Sequence, residues 1–342
     1  MLNPNPLRSA LLLAPVLVSL AAAASCADGG FTPMGIYGPD DRQESSAVKS
    51  PVVRSWVDST VALFQAGSVK DDPEKKTSAL TLKPFEKAVV RMPDNPFGGT
   101  PVDLCPEEPY KGQSKGAFCS GSLVAADLVM TAGHCIETEE ECQGVKFVFG
   151  FAAGKDGQPA GSVPTDEVYS CSKLVVQELD GKGPDFAIVR LDRQVKNHTP
   201  LRVRRSGAPP AGTPLTVIGH PVGLPTKVAG GASIRKDDEG GFFAGNLDTY
   251  GGNSGSAVIN SATGEVEGIL VRGGADFEYD ETRKCARSVR KMNDTGRGED
   301  VTLVANVLEH IPDNHKPRGL DAPMAGGALE TLSVASAGSG PF

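Results

Sequence analysis

The sequence predicts a mostly β chain with many loops, and three observations carry that prediction. Glycine (41) and proline (26) are abundant among the 342 residues, and both punctuate short elements. Short runs rich in Val, Ile, Phe and Thr recur between those turn signals, as strands do. Apolar repeats at helical spacing are scarce. The length allows about two domains. A net charge of −8 without any Lys/Arg block argues against nucleic acid or an anionic membrane surface as a partner.

Residues 1–26 precede the fold. Arg8 is followed by an apolar run from Ala10 to Ala24, which is too short and wrongly flanked for a spanning helix and reads as a secretory signal. The run ends Ala23-Ala24-Ser25-Cys26, similar to a bacterial lipoprotein box, although Ala23 stands where Leu is usual. Two readings stay open: lipidation of Cys26, the one route to a membrane, or simple cleavage nearby. The cysteine count of seven is odd for an exported protein, and acylating Cys26 would leave an even set.

Residues 27–56 read as a tether or propeptide. The first β domain is expected over 57–191, starting with a strand at Val57–Phe64 and carrying an inserted loop at 66–117 with one hairpin near Thr77–Met92. Phe118–Val124, Asp127–Thr131, Val145–Phe151, Tyr169–Gln177 and Asp185–Leu191 read as its further strands. Residues 192–212 are polar and Pro/Arg-rich, a linker. The second β domain is expected over 213–312, with strands at Pro214–Gly219, Phe242–Leu247, Ser256–Asn260 and Gly268–Gly273 and a hairpin turning at Gly264. Val301–Ile311 has apolar residues at 301, 304, 307, 308 and 311, a helical spacing that stops at Pro312. Residues 313–342 are Ala/Gly/Ser-rich and have little to bury, so a disordered tail is expected.

The chemistry centres on Gly251-Gly252-Asn253-Ser254-Gly255-Ser256. Glycines on both sides of a serine suit a turn that lifts one hydroxyl clear and leaves amide N–H groups pointing together. A serine hydroxyl needs a base to become a nucleophile. His134, in Thr131-Ala132-Gly133-His134-Cys135, and Asp185, opening Asp185-Phe186-Ala187-Ile188-Val189-Arg190-Leu191, supply a base and a carboxylate. The order His, Asp, Ser differs from the Ser, Asp, His order of α/β-hydrolases. His198, His220, His310 and His315 lack a comparable setting, and Asp166, Asp180 and Asp192 are rival acids.

These three blocks together resemble those of trypsin-like (chymotrypsin-fold) serine peptidases, and the serine block is most similar to the bacterial glutamyl-endopeptidase (V8-like) branch. The resemblance spans roughly residues 36 to 312. It implies an all-β fold of two six-stranded antiparallel β-barrels of the chymotrypsin type with a C-terminal helix. It implies His134, Asp185 and Ser254 as catalytic residues and the amides of Gly252 and Ser254 as an oxyanion hole. It also implies a Cys119–Cys135 disulfide beside the histidine. Of the remaining cysteines, Cys142–Cys171 is the shortest closure and the pairing we expect. No Cys-x-x-Cys or His-x-x-x-His spacing supports a zinc site, and neither metal nor cofactor is expected.

Ile36-Tyr37-Gly38-Pro39-Asp40-Asp41-Arg42 resembles the start of mature glutamyl endopeptidases, so processing near 34–36 competes with retention of a lipid anchor. Asn253 replaces the aspartate that digestive relatives pair with a new N-terminal amine. Pocket candidates are Asp248 and Thr249 on one side and Leu270, Val271, Arg272 and Gly273 on the other. Asp248 points to basic substrates and Arg272 to acidic ones, and both stay open. The expected protein is a secreted, periplasmic or outer-membrane-anchored bacterial serine endopeptidase acting on proteins or peptides. The rival readings are a catalytically silent binding module and an esterase using the same residues.

Overall fold

The computed structural model describes residues 35–92, 95–236 and 240–313. The expectations for the signal segment with Cys26 and for nearly all of the tail lie outside these residues. Two closed antiparallel barrels of six strands organise the chain. The first comprises β1 (Thr60–Gln65), β2 (Cys119–Ala125), β3 (Leu128–Thr131), β4 (Val145–Phe149), β5 (Val168–Leu179) and β6 (Asp185–Leu191). The second comprises β7 (Pro214–Gly219), β8 (Lys227–Lys236), β9 (Phe242–Gly245), β10 (Ala257–Asn260), β11 (Val266–Arg272) and β12 (Glu299–Leu303).

Around the first barrel the order is β1-β2-β3-β6-β5-β4, and around the second β7-β8-β9-β12-β11-β10. The two halves therefore share one topology, although the sequence shows no repeat. Closure removes every free sheet edge within each barrel.

In β1 the two faces are buried for different reasons. Val61 and Leu63 point into the barrel core with Leu123, Val129, Phe147 and Ile188. Ala62 and Phe64 pack outward against Leu80, Phe151, Val163 and Val168. Those covering residues come largely from outside the barrel, including the segment between β1 and β2. That segment is more structured than expected, and Thr77–Met92 is not a hairpin, because its two strands pair with different neighbours. The segment pairs Val69–Asp72 with Thr77–Leu80 and Lys87–Met92 with Asn95–Asp103. Its outer cover explains why Val148 of β4, in the outer cluster with Ala62 and Phe64, is fully buried.

Two stretches differ from expectation in the kind of element they form. The run beginning at Val57 is the end of a helix, α1 (Pro51–Asp58), and the strand starts only at Thr60. Ser50 caps α1 through its hydroxyl and Pro51 occupies the first turn, a start signal with a clear physical basis. At the other end, Val301 to Leu303 belong to β12, and the next residues form a 3-10 turn, Val304–His310, in place of an α-helix. Val301 is claimed by sheet partners on both sides, Phe243 and Leu270, and pairing overrides the helical spacing.

The N-terminal described segment wraps the second barrel. Ile36–Tyr37 runs parallel to Arg290–Lys291, and Arg42–Glu44 adds antiparallel to β8. Three disulfides tie the fold: Cys119–Cys135, Cys142–Cys171 and Cys105–Cys285.

Candidate active site

β3 ends at Thr131, and a 3-10 turn, Gly133–Cys135, presents His134. Gly133 is required by close approach, since a Cβ there would lie 2.1 Å from the Glu178 carbonyl oxygen. The Cys119–Cys135 bond fastens this turn to β2. His134 is one-third exposed, whereas Asp185, at the start of β6, is 1% exposed.

The Asp185 carboxylate is fully occupied. Oδ1 accepts from the Gly133 amide at 2.6 Å and the His134 amide at 3.1 Å. Oδ2 lies 2.7 Å from His134 Nδ1. A carboxylate only accepts, so the imidazole proton sits on Nδ1 and Nε2 is left as an acceptor. The Asp185 backbone is held from the other barrel: its amide donates to Thr302 Oγ1 at 3.1 Å, and the same hydroxyl donates to its carbonyl at 3.0 Å. Thr302 was not singled out from the sequence, where it falls in the stretch Val301–Ile311 read as helical.

The serine turn sits against the strand end that delivers His134. A Cβ on Gly255 would come within 2.2 Å of Thr131 Oγ1 and 3.0 Å of the Ala132 amide. Gly252 and Gly255 have φ of +93° and +89°, values that favour glycine. Four of the six turn amides find acceptors: Gly251 at Asp276, Asn253 at Tyr250, Gly255 at Leu270 and Ser256 at Asn253. Those of Gly252 and Ser254 find none among the described residues. The Ser254 side chain is partly exposed.

The pocket candidates fare differently. Asp248 is 4% exposed, and its oxygens accept from the backbone amides of Tyr37 (2.7 Å) and Asp41 (2.8 Å). It therefore clasps the N-terminal segment, and both oxygens are spent; burial pushes its carboxyl up to about 7. Arg272 donates to the carbonyls of Asp180 (2.7 Å) and Gly183 and lies 3.5 Å from Asp300, so its guanidinium too is spent. Leu270 and Val271 are buried strand residues, Gly273 is partly exposed, and Thr249 is fully buried, its hydroxyl without a partner among the described residues.

The residue that sequence reasoning missed here is Asp276. Its Oδ2 accepts from the Gly251 amide at 2.8 Å, three residues before Ser254, and its Oδ1 is buried without a partner among the described residues. Burial pushes this carboxyl to about 7. Glu299, fully buried in β12, is raised well above the carboxylate range by burial and by the nearby Asp276. An aspartate in a Gly-rich loop gives no sign of such a site.

Cys119, His134 and Cys135 place ligand-type atoms within 4.8 Å of one another. The two sulfurs are bonded to each other, so neither is the thiolate a zinc site needs.

A family model described as a trypsin-like peptidase domain matches residues 119–269, the span holding His134, Asp185 and Ser254. The chain is 29% identical over 116 residues to a trypsin of Sarcophaga bullata, covering 32% of this chain and 42% of the relative. It is 31% identical over 137 residues to a cercarial protease of Schistosoma mansoni, covering 36% and 51%. It is 26% identical over 210 residues to snake venom serine protease 2 of Protobothrops jerdonii, covering 52% and 76%. The matches thus span about half the length, or less, of the first two relatives. Over the residues that bear its three sequence blocks, the chain is similar to trypsin-like peptidases of the two-barrel chymotrypsin fold.

Proposed function

We propose that the chain is a serine endopeptidase that acts on proteins or peptides. One observation carries the reading: in the serine turn, the two amides without acceptors are those of Gly252 and Ser254, and the turn abuts a histidine already oriented by a buried aspartate. Ser254 Oγ attacks the carbonyl carbon while its proton passes to His134 Nε2. The carbonyl π electrons move onto oxygen, which the two amides receive. His134 then gives the proton to the leaving amine as the C–N bond breaks. Water hydrolyses the resulting ester by the same route in reverse, restoring Ser254. Asp185 holds the tautomer and stabilises the imidazolium.

The three disulfides support an oxidising, exported location. The serine block supports the bacterial V8-like branch, and Cys26 is where a lipid anchor would attach. We assign substrate preference to Asp276, whose Oδ1 is buried without a partner among the described residues beside the serine turn; a cationic side chain reaching it would hold the carboxylate in its charged form. We expect cleavage after Lys or Arg.

Digestion of an unstructured protein mixture beside Ser254→Ala, with cut sites read by mass spectrometry, tests both statements. Cuts that vanish in the variant support the peptidase, and a folded wild type that neither cuts nor is labelled by a phosphonofluoridate overturns it. Cuts after Glu or Asp would overturn the basic preference alone.

A further inference from the structure

Ser120 lies in β2, outside the three blocks, and is fully buried. A buried hydroxyl needs partners, and all of its polar groups have them. Its Oγ accepts from the His220 amide at 2.9 Å and donates to the Gly252 carbonyl at 2.8 Å. Its amide donates to the Ser254 carbonyl at 2.8 Å. Its carbonyl accepts from Thr131 Oγ1 at 2.7 Å. One residue of the first barrel thus touches the serine turn twice and the His220 turn once.

The His220 turn matters because of what it holds. The Val222 amide donates to the Gly251 carbonyl at 2.6 Å. In a trans peptide the C=O and N–H point in opposite directions. Holding the Gly251 oxygen therefore aims the Gly252 N–H away from Val222. The turn that supplies this donor is strained: Val222, a β-branched residue, sits at φ +47°, ψ 22°, a conformation such residues avoid. The turn closes on itself through Gly223 N to His220 O at 3.0 Å and Leu224 N to Pro221 O at 2.9 Å. His220 Nδ1 also lies 3.0 Å from Leu224 O. Its link to the catalytic turn from below is the Ser120 hydroxyl. Gly219 leaves no room for a substitute there, since a Cβ would lie 2.8 Å from Ser120 Oγ and 1.9 Å from Ser256 Oγ.

We propose that Ser120 is a positioning residue, whose hydroxyl pins the His220–Gly223 turn to the serine turn and so aims the Gly252 and Ser254 amides at the developing oxyanion. This rests on the peptidase reading above. Removing the hydroxyl leaves the His220 amide and the Gly252 carbonyl without partners. Gly252, free of a Cβ, is then able to rotate its peptides. The effect falls on transition-state stabilisation, with ground-state binding unchanged.

The test compares wild type, Ser120→Ala and Ser120→Cys on one peptide substrate. Each is also titrated with a peptide aldehyde, which forms a hemiacetal on Ser254 and uses the oxyanion amides, and with the matching product peptide, which does not. For Ser120→Ala we expect kcat to fall about 10- to 100-fold, less than loss of an oxyanion donor outright, with KM and product affinity within about twofold. Aldehyde affinity should fall in parallel with kcat/KM, and Ser120→Cys, with its weak S–H donor, should lie between. A folded alanine variant with wild-type kcat overturns the proposal. So does a loss of kcat without loss of aldehyde affinity relative to product. If the alanine variant does not fold, the cysteine variant decides by the same comparison. A wild type that neither cleaves nor is labelled by a serine reagent overturns the peptidase reading, and the positioning role with it.

Discussion

Asp185→Asn is expected to lower kcat by about 10⁴-fold while leaving the fold and KM nearly unchanged. Two backbone amides, Gly133 and His134, aim at Oδ1. An asparagine at this buried position must place its carbonyl oxygen there, because its NH₂ would meet donors. The NH₂ then faces His134 Nδ1, which lay 2.7 Å from Oδ2. The imidazole has to turn that nitrogen into an acceptor and carry its proton on Nε2. In this tautomer His134 cannot take the Ser254 proton. A pH–rate profile distinguishes this from loss of structure: activity should recover as hydroxide replaces the base, with circular dichroism and melting temperature unchanged. A variant within tenfold of wild type at neutral pH would remove Asp185 from the proposed mechanism.

Asp248→Ala should cost the most stability of any substitution on the pocket side. It strands the amides of Tyr37 and Asp41, and a buried donor left unmade costs about 1–3 kcal/mol. From two such donors we expect about 2–4 kcal/mol and a lower catalytic rate, because the unfastened segment also carries Arg42. That guanidinium lies 4.0 Å from the Tyr250 ring centroid, next to the serine turn.

The same carboxylate makes stability depend on pH. Burial raises Asp248 and Asp276 from 3.8 to about 7. Between those values the folded chain binds more protons than the unfolded chain. The stabilisation is therefore complete below about pH 4 and is lost as pH rises through 7. Thermal melts of Ser254→Ala should show a melting temperature falling from pH 5 to pH 8, and Asp248→Asn should flatten that slope. A melting temperature that rises over this range would overturn the assignment.

What the sequence disclosed was local. Asp185–Leu191 and Pro214–Gly219 match strands residue for residue, because each is an apolar run bounded by turn chemistry. β8 went unread: Lys-Val-Ala-Gly-Gly-Ala-Ser-Ile-Arg-Lys opens on a lysine that looks solvent-facing. Lys227 is in fact buried, its ammonium satisfied by Glu44 Oε2 at 3.0 Å and Gln113 Oε1 at 2.7 Å. α1 was hidden in Val-Val-Arg-Ser-Trp-Val, whose first five residues fall in the stretch read as a tether because the Ser50-Pro51 start was not weighed. His134, Asp185 and Ser254 could be singled out because each sits in a self-contained block. Ser120, Thr302 and Asp276 could not, because their meaning comes from partners 132, 117 and 25 residues away. Asp248 shows the same limit from the other side. Its spacing from Ser254 suggested a substrate contact, but the amides it holds lie 211 and 207 residues upstream.

The Cys105–Cys285 bond, 180 residues apart, bears on how the chain survives a proteolytic cut. One nick anywhere between those two cysteines, the exposed linker included, leaves both fragments covalently attached. The damaged molecule keeps its two halves at each other's side instead of losing them to dilution. Limited digestion with an added protease would then yield a nicked population that migrates as one band until reductant is added and as two bands afterwards.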